Sequence, residues 1–196
     1  MNYTAIRSGL KNKRYFGVGE ISEILGIQPS SARVLCSRLK KQGIIIRLKR
    51  DFYMLKETWD NLKYEDLLKL ANMLQVPSYV SCMSALAFYD VSTQVQRSFF
   101  ENVSLKRTRN FDEDGAFFSY YKIKKELYFG FEKKEGIFIA SKEKAFLDAV
   151  YLYSFGKYRF DVSSVAMEKL DKNKIFVMLG RFPVKTRKTL QKIWMK

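Results

Sequence analysis

Apolar residues recur at helical spacing near the start of this chain, give way to β-branched and aromatic runs, and then repeat that succession over a longer stretch. The clearest part runs from Val18 to Leu55. Ile21, Ile24 and Leu25 share one helical face, Gly26 interrupts them, and Pro29, Ser30 and Ser31 open a second amphipathic segment that ends at Gly43. Two short helices joined by a tight glycine-containing turn form the pattern of a helix-turn-helix. From Ile44 to Leu48 and from Phe52 to Leu55 the residues become β-branched and aromatic around a charged turn of Lys49, Arg50 and Asp51, which predicts a β-hairpin. A hairpin directly after the second helix makes the unit winged.

Upstream, Tyr3 to Lys13 carries Ile6 and Leu10 on one side and predicts a first helix packed over the other two, with Gly17 as N-cap of the next. Lys56 to Lys63, with Trp59 and Leu62 embedded, reads as a short ordered connector. Leu67, Leu68, Ala71 and Leu74 mark a helix that stops before Pro77. Pro77 to Ser81 then turn the chain into a short helix with Ala85, Leu86 and Phe88, and Asp90 to Gln96 is a polar loop. Strand-like segments follow at Asn102–Arg107, Ala116–Ile123, Leu127–Phe131 and Gly136–Ala140, separated by charged turns such as Asp112–Gly115 and Lys133–Gly136. They predict a small, mainly antiparallel sheet. Ser141 starts a helix with Ala145, Phe146, Ala149 and Leu152 on one side. Helical patterns around Val162–Leu170 and Ile175–Leu179 lead to Pro183, and Val184–Met195 forms the last helix. The expected class is therefore α+β: a winged helix-turn-helix over residues 1–58, then a mixed α+β domain over residues 59–196 with a basic C-terminal helix.

At about 100° per residue, Ala32, Leu35, Cys36 and Leu39 form one stripe of the second helix of the helix-turn-helix. Ser30, Val34, Ser37 and Lys41 project from the opposite side, flanked by Arg33 and Arg38. A buried stripe backed by small polar and cationic side chains suits a helix lying in a major groove: Arg pairs with guanine edges, Ser with bases or phosphates, and Val34 can touch a thymine methyl. Those six residues are the candidate reading face, with Arg47, Lys49 and Arg50 of the hairpin as further candidates for DNA contact. An ordinary solvated helix would show the same pattern, so the charge balance matters.

There are 36 Lys and Arg against 20 Asp and Glu, a net charge of +16, and no histidine. From Met1 to Leu55 the count is 11 basic to 3 acidic, or +8, so the excess is dense where the helix-turn-helix is expected. Such a field favours a polyanion through counterion release. A second cationic stretch, Arg181 to Lys196, has six cations and no acid, and Lys185, Lys188 and Lys192 share one side of the last helix. This is a second candidate patch for DNA or a protein partner, set against the usual reading of a charge run as a solvated face. No apolar run reaches the length of a membrane span and the N-terminus has no signal-peptide core, so a soluble, cytoplasmic protein is expected, with no membrane partner. Cys36 and Cys82 read as small buried hydrophobes, and a structural zinc site would need more Cys and His than this chain has. No cofactor is expected.

Four blocks of the sequence resemble the AbiEi antitoxin family of type IV toxin-antitoxin systems. The first is LGI at Leu25–Ile27 followed by Arg33–Leu48 and RDFYML at Arg50–Leu55; the second is ANMLQVPSYVSCMSAL at Ala71–Leu86. KRTRNF at Lys106–Phe111 with YFGF at Tyr128–Phe131, and IASKEKAFLDAVYL at Ile139–Leu152, complete the set. The resemblance implies an antitoxin, associated with phage resistance, whose N-terminal winged helix-turn-helix binds double-stranded operator DNA and represses its own operon. It also implies a C-terminal domain that counteracts a nucleotidyltransferase-like toxin, without requiring a stable complex. Such regulators usually occupy paired half-sites, so dimeric or cooperative binding is expected. The wing turn departs from the family pattern, with Lys-Arg-Asp where many relatives carry a Gly.

Glu143, Lys144 and Asp148 lie close together on one helix just after Ser141. Without a histidine, a Gly-rich phosphate loop or a G-x-S-x-G elbow, they read as helix N-terminal and interdomain ion pairs, and not as the centre of an enzyme. The competing expectations are a protein-interaction module that blocks a toxin directly, and a stand-alone transcriptional regulator.

Overall fold

A computed structural model describes residues 3–94, 97–159 and 161–195 of the chain, which divides into two compact units between Lys63 and Tyr64. Val95 and Gln96, at the end of the loop expected over Asp90–Gln96, lie outside the described residues.

The first unit contains α1 (Tyr3–Gly9), α2 (Val18–Leu25), α3 (Pro29–Lys41), a hairpin of β1 (Ile45–Lys49) and β2 (Phe52–Leu55), and α4 (Lys56–Asp60). The first helix is shorter than the expected Tyr3–Lys13. Gly9 is a weak helix former, and a Cβ there would come within 2.8 Å of the Ile24 side chain, so the close approach of α1 to α2 needs the glycine. Glu20 accepts a hydrogen bond from the Gly17 backbone at 2.9 Å across the start of α2. Gly26, at φ +62, ends α2, and Pro29 opens α3 at a position where its missing N–H costs nothing. Ile6, Leu10, Val18, Ile21, Ala32, Cys36, Leu39 and Ile45 belong to one buried cluster. The connector residues form α4, which packs on the hairpin and so belongs to this unit.

β1 and β2 pair antiparallel, with Arg47 opposite Tyr53 and an irregularity between Arg47 and Lys49. Phe16 exchanges two backbone hydrogen bonds with Tyr53, at 3.0 and 2.8 Å, which ties the segment before α2 to the hairpin. The turn that lacks glycine is accommodated by Asp51, at φ +55, a conformation that Asp tolerates better than most residues. Its Oδ1 accepts a hydrogen bond from the Val18 backbone at 2.7 Å, clamping the turn to the first turn of α2.

The second unit contains α5 (Tyr64–Leu74), β3 (Ser78–Val80), α6 (Cys82–Phe88), β4 (Phe99–Ser104), β5 (Arg109–Glu113), β6 (Ala116–Lys122), β7 (Phe131–Lys134), β8 (Ile137–Ala140), α7 (Lys142–Ser154), α8 (Lys172–Leu179) and α9 (Val184–Trp194). The chain is thus mixed α and β. The sheet order is β5-β6-β4-β3-β8-β7; the β5/β6, β3/β4 and β7/β8 pairs are antiparallel, while β4/β6 and β3/β8 are parallel.

Several segments differ from the sequence reading. Ser78–Val80, expected as a turn into a helix, is an inner strand, and Arg109–Glu113 is an edge strand. The turns expected over Asp112–Gly115 and Lys133–Gly136 contract to Asp114–Gly115 and Glu135–Gly136, both pairs at positive φ, as two-residue hairpin loops require. Of Leu127–Phe131 only Phe131 is in a strand, as the first residue of β7: Lys125–Leu127 is a 3₁₀ turn, and Gly130, at φ +71, passes close to Lys144. Val162–Leu170 forms two 3₁₀ turns instead of a helix, because Ala166 donates to the Val91 carbonyl at 2.8 Å and Ser92 bridges to Val165, which draws out the backbone between them.

The carboxylates expected to make interdomain pairs are internal to the second unit. Lys144 and Asp148 form an ion pair one turn apart on α7, both fully buried. Asp148 also accepts from the hydroxyls of Tyr79 at 3.0 Å and Ser81 at 2.8 Å. Burial lowers the Lys144 ammonium from its ordinary value, with Asp148 opposing. Glu143 accepts from the Asp171 backbone at 3.3 Å. Cys36 and Cys82 are both buried and unpaired.

Glu101 on β4 is 5% exposed and accepts from the Met83 backbone at 2.8 Å and the Tyr158 hydroxyl at 2.9 Å. Burial pushes its carboxyl up to about 7, against the downward pull of these hydrogen bonds. The folded unit therefore binds this proton more tightly than the unfolded chain does. The contribution of Glu101 to stability is full below the ordinary carboxylate value and is lost as pH rises through about 7. Urea midpoints of the second unit should fall across that window, and Glu101→Gln should flatten the fall; an unchanged slope in the variant would assign the pH dependence elsewhere.

Candidate nucleic-acid interface

The surface of α3 follows from its buried stripe. Ala32, Cys36 and Leu39 are fully buried and Leu35 is half-buried, which turns Ser30, Arg33, Val34, Ser37, Arg38 and Lys41 outward, all six exposed. Val34 is 52% exposed, an apolar side chain held in solvent between cations. On the hairpin, Arg47 and Arg50 are exposed, whereas Lys49 is half-buried with its Nζ 5.1 Å from the Phe52 ring centroid.

One flank of α3 and the hairpin enclose a cleft of about 520 Å³. Arg33, Ser37 and Lys40 line it from the helix, and Arg47, Arg50, Asp51 and Tyr53 from the hairpin, with Val18 and Cys36 also on its walls. The structure thus brings together Arg33, Ser37, Arg47 and Arg50, while Ser30, Val34, Arg38, Lys41 and Lys49 lie outside the cleft. It adds Lys40, Asp51 and Tyr53. Lys40 lies at i+7 from Arg33 and i+3 from Ser37, a spacing visible in the sequence but well round the helix from the middle of the expected face.

Among the described residues no carboxylate pairs with Arg33, Lys40, Arg47 or Arg50. Asp51, the carboxylate on the cleft wall, is engaged with the Val18 backbone. Burial pushes the Tyr53 hydroxyl up from its ordinary value, as do Cys36 and Asp51, while Arg47 and Arg33 pull it back. Burial, reinforced by Asp51, raises the Cys36 thiol and keeps it protonated and inert as a nucleophile. The cleft can hold and orient an anion.

The second candidate patch lies in the other unit. Thr186 and Leu190 bury one side of α9, leaving Lys185, Lys188 and Lys192 exposed, and Lys185 places its Nζ 5.1 Å from the Phe155 ring centroid. Lys196 lies outside the described residues. Among those residues no group of three or more His, Cys, Asp or Glu could hold a metal ion, and no helix is long and apolar enough to cross a membrane. No protein-family model and no curated protein matches this chain.

Proposed function

We propose that the first unit is a winged helix-turn-helix that binds double-stranded operator DNA. We further propose that the chain is an antitoxin of the AbiEi type, repressing its own operon in the cytoplasm and counteracting a nucleotidyltransferase-like toxin through the second unit. The observation that carries the DNA reading is that Arg33 and Lys40 of α3 and Arg47 and Arg50 of the hairpin, none paired with a carboxylate among the described residues, face one another across one cleft beside an exposed row of small polar side chains. In this reading α3 lies in the major groove and the hairpin follows the adjacent backbone. The antitoxin part rests on the four sequence blocks alone. A partner-contacting role for the second unit draws support from the exposed lysines of α9.

The test is titration of the full chain with the duplex upstream of its own coding sequence over a range of salt. Each neutralised phosphate contributes a slope of about −0.9 in log affinity against log salt, so engagement of phosphates by Lys40, Lys41, Arg47 and Arg50 should give roughly −4. Duplexes with inverted repeats should outcompete random duplex. Affinity that is flat from low to moderate salt would rule out binding through phosphates.

A further inference from the structure

We propose that the cleft between α3 and the hairpin is also a pocket for a free triphosphate group, and that such a ligand competes with DNA for it. The competition rests on the DNA reading above; the triphosphate binding does not.

Three features go beyond what contact with a duplex needs. The cleft is concave and its volume, about 520 Å³, falls in the range of small-ligand pockets. Arg33, Lys40, Arg47 and Arg50 line it from two opposing walls, with no carboxylate paired to any of them among the described residues. A single backbone phosphate brings one negative charge, whereas a triphosphate brings several within one short group and offsets the mutual repulsion of these cations more fully. Finally, Tyr53 lines the cleft, and a phosphate oxygen there would accept a hydrogen bond from its hydroxyl. Ser37 supplies another hydroxyl on the helix wall.

The experiment is calorimetric titration of the full chain at fixed ionic strength with inorganic triphosphate, ATP and citrate, the last an anion of high charge without phosphate. Inorganic triphosphate should bind at one site, about tenfold or more tighter than citrate, because it carries more negative charge on a shorter group. The Lys40→Ala/Arg47→Ala variant should lose about tenfold or more of that affinity, and Tyr53→Phe a smaller part, with thermal melting unchanged. Lys125→Ala/Lys157→Ala, which removes the same charge from exposed positions of the second unit, should bind as the parent does. ATP binding as tightly as inorganic triphosphate supports the pocket and assigns it to nucleotides; weaker ATP binding supports it and assigns it to the inorganic ligand. Citrate binding equally well, or full affinity in Lys40→Ala/Arg47→Ala, overturns the proposal. If duplex binds but triphosphate does not, this inference fails and the DNA reading stands; if triphosphate binds and duplex does not, the reverse holds. Where both bind, triphosphate should displace the duplex, and simultaneous binding at full affinity would overturn the competition.

Discussion

Lys144→Ala is expected to destabilise the second unit by about 3–5 kcal/mol, the cost of breaking a buried ion pair by removing one partner. Both Lys144 and Asp148 are fully buried, so the truncation leaves a carboxylate in the interior with only the hydroxyls of Tyr79 and Ser81 to satisfy it. It also leaves a void beside the rings of Tyr79, Phe129 and Phe182, whose centroids lie 5.4, 5.1 and 5.5 Å from the Lys144 ammonium. Gly130 has no side chain to fill that space, because it sits at φ +71 with Lys144 already 3.1 Å from where a Cβ would be. Replacing both partners, Lys144→Met with Asp148→Leu, should recover much of the loss, since well-packed apolar residues often replace a buried pair at little cost. Two hydroxyls would still lack their acceptor, so recovery should be incomplete. Urea unfolding read from Trp194 fluorescence in a Trp59→Phe background isolates this unit. A loss below about 1 kcal/mol, the range of solvated surface pairs, would show that the pair is not desolvated.

Spacing shows Lys144 and Asp148 as neighbours on one helix, but their burial was hidden for a physical reason. α7 is buried along nearly its whole length, so Lys144 and Asp148 stand among buried neighbours and not on a polar face. An amphipathic pattern marks a helix that meets water on one side, and α7 does not. The sheet was obscured in the same way. β3 is three residues long with every position buried, too short for an alternation to show, and β5 is mostly exposed at the sheet edge with only Phe111 buried. The first unit was legible because its helices are two-faced and its breaks fall at Gly26, Pro29 and Gly43, residues whose backbone preferences are strong.

The candidate site was legible in its helix and not in its cleft. The side of α3 opposite the buried stripe can be computed from spacing alone, and all six residues so chosen are exposed. Which of them share a cavity depends on where the hairpin rests, and that is set by the Phe16–Tyr53 pairing and the bond from Asp51 to Val18. Neither follows from periodicity. The absence of glycine from the turn is explained by the same bond, because Asp51 serves as both the left-handed residue and the clamp.

The placement of Arg33 and Lys41 on α3 leads to opposite expectations for two substitutions on one helix. Arg33 lies near the start of α3 and lines the cleft with Arg47 and Arg50, whereas Lys41 is the last residue of the helix and lies outside the cleft. If α3 enters the major groove by its N-terminal end, Arg33 reaches base edges and Lys41 meets the backbone. Arg33→Ala should then cost roughly 1–3 kcal/mol on operator DNA, relax the preference at one or two base pairs, and change affinity for random duplex much less. Lys41→Ala should weaken operator and random duplex alike and reduce the salt slope by about one. Both residues are exposed and neither contributes to the stripe of Ala32, Cys36 and Leu39, so melting temperatures should stay near the parent value. Titrations of both variants against the two duplexes at several salt concentrations separate base reading from phosphate contact. Were the variants indistinguishable, α3 would not be the reader, and the segment Arg47 to Arg50 on the opposite wall would become the element that carries sequence preference.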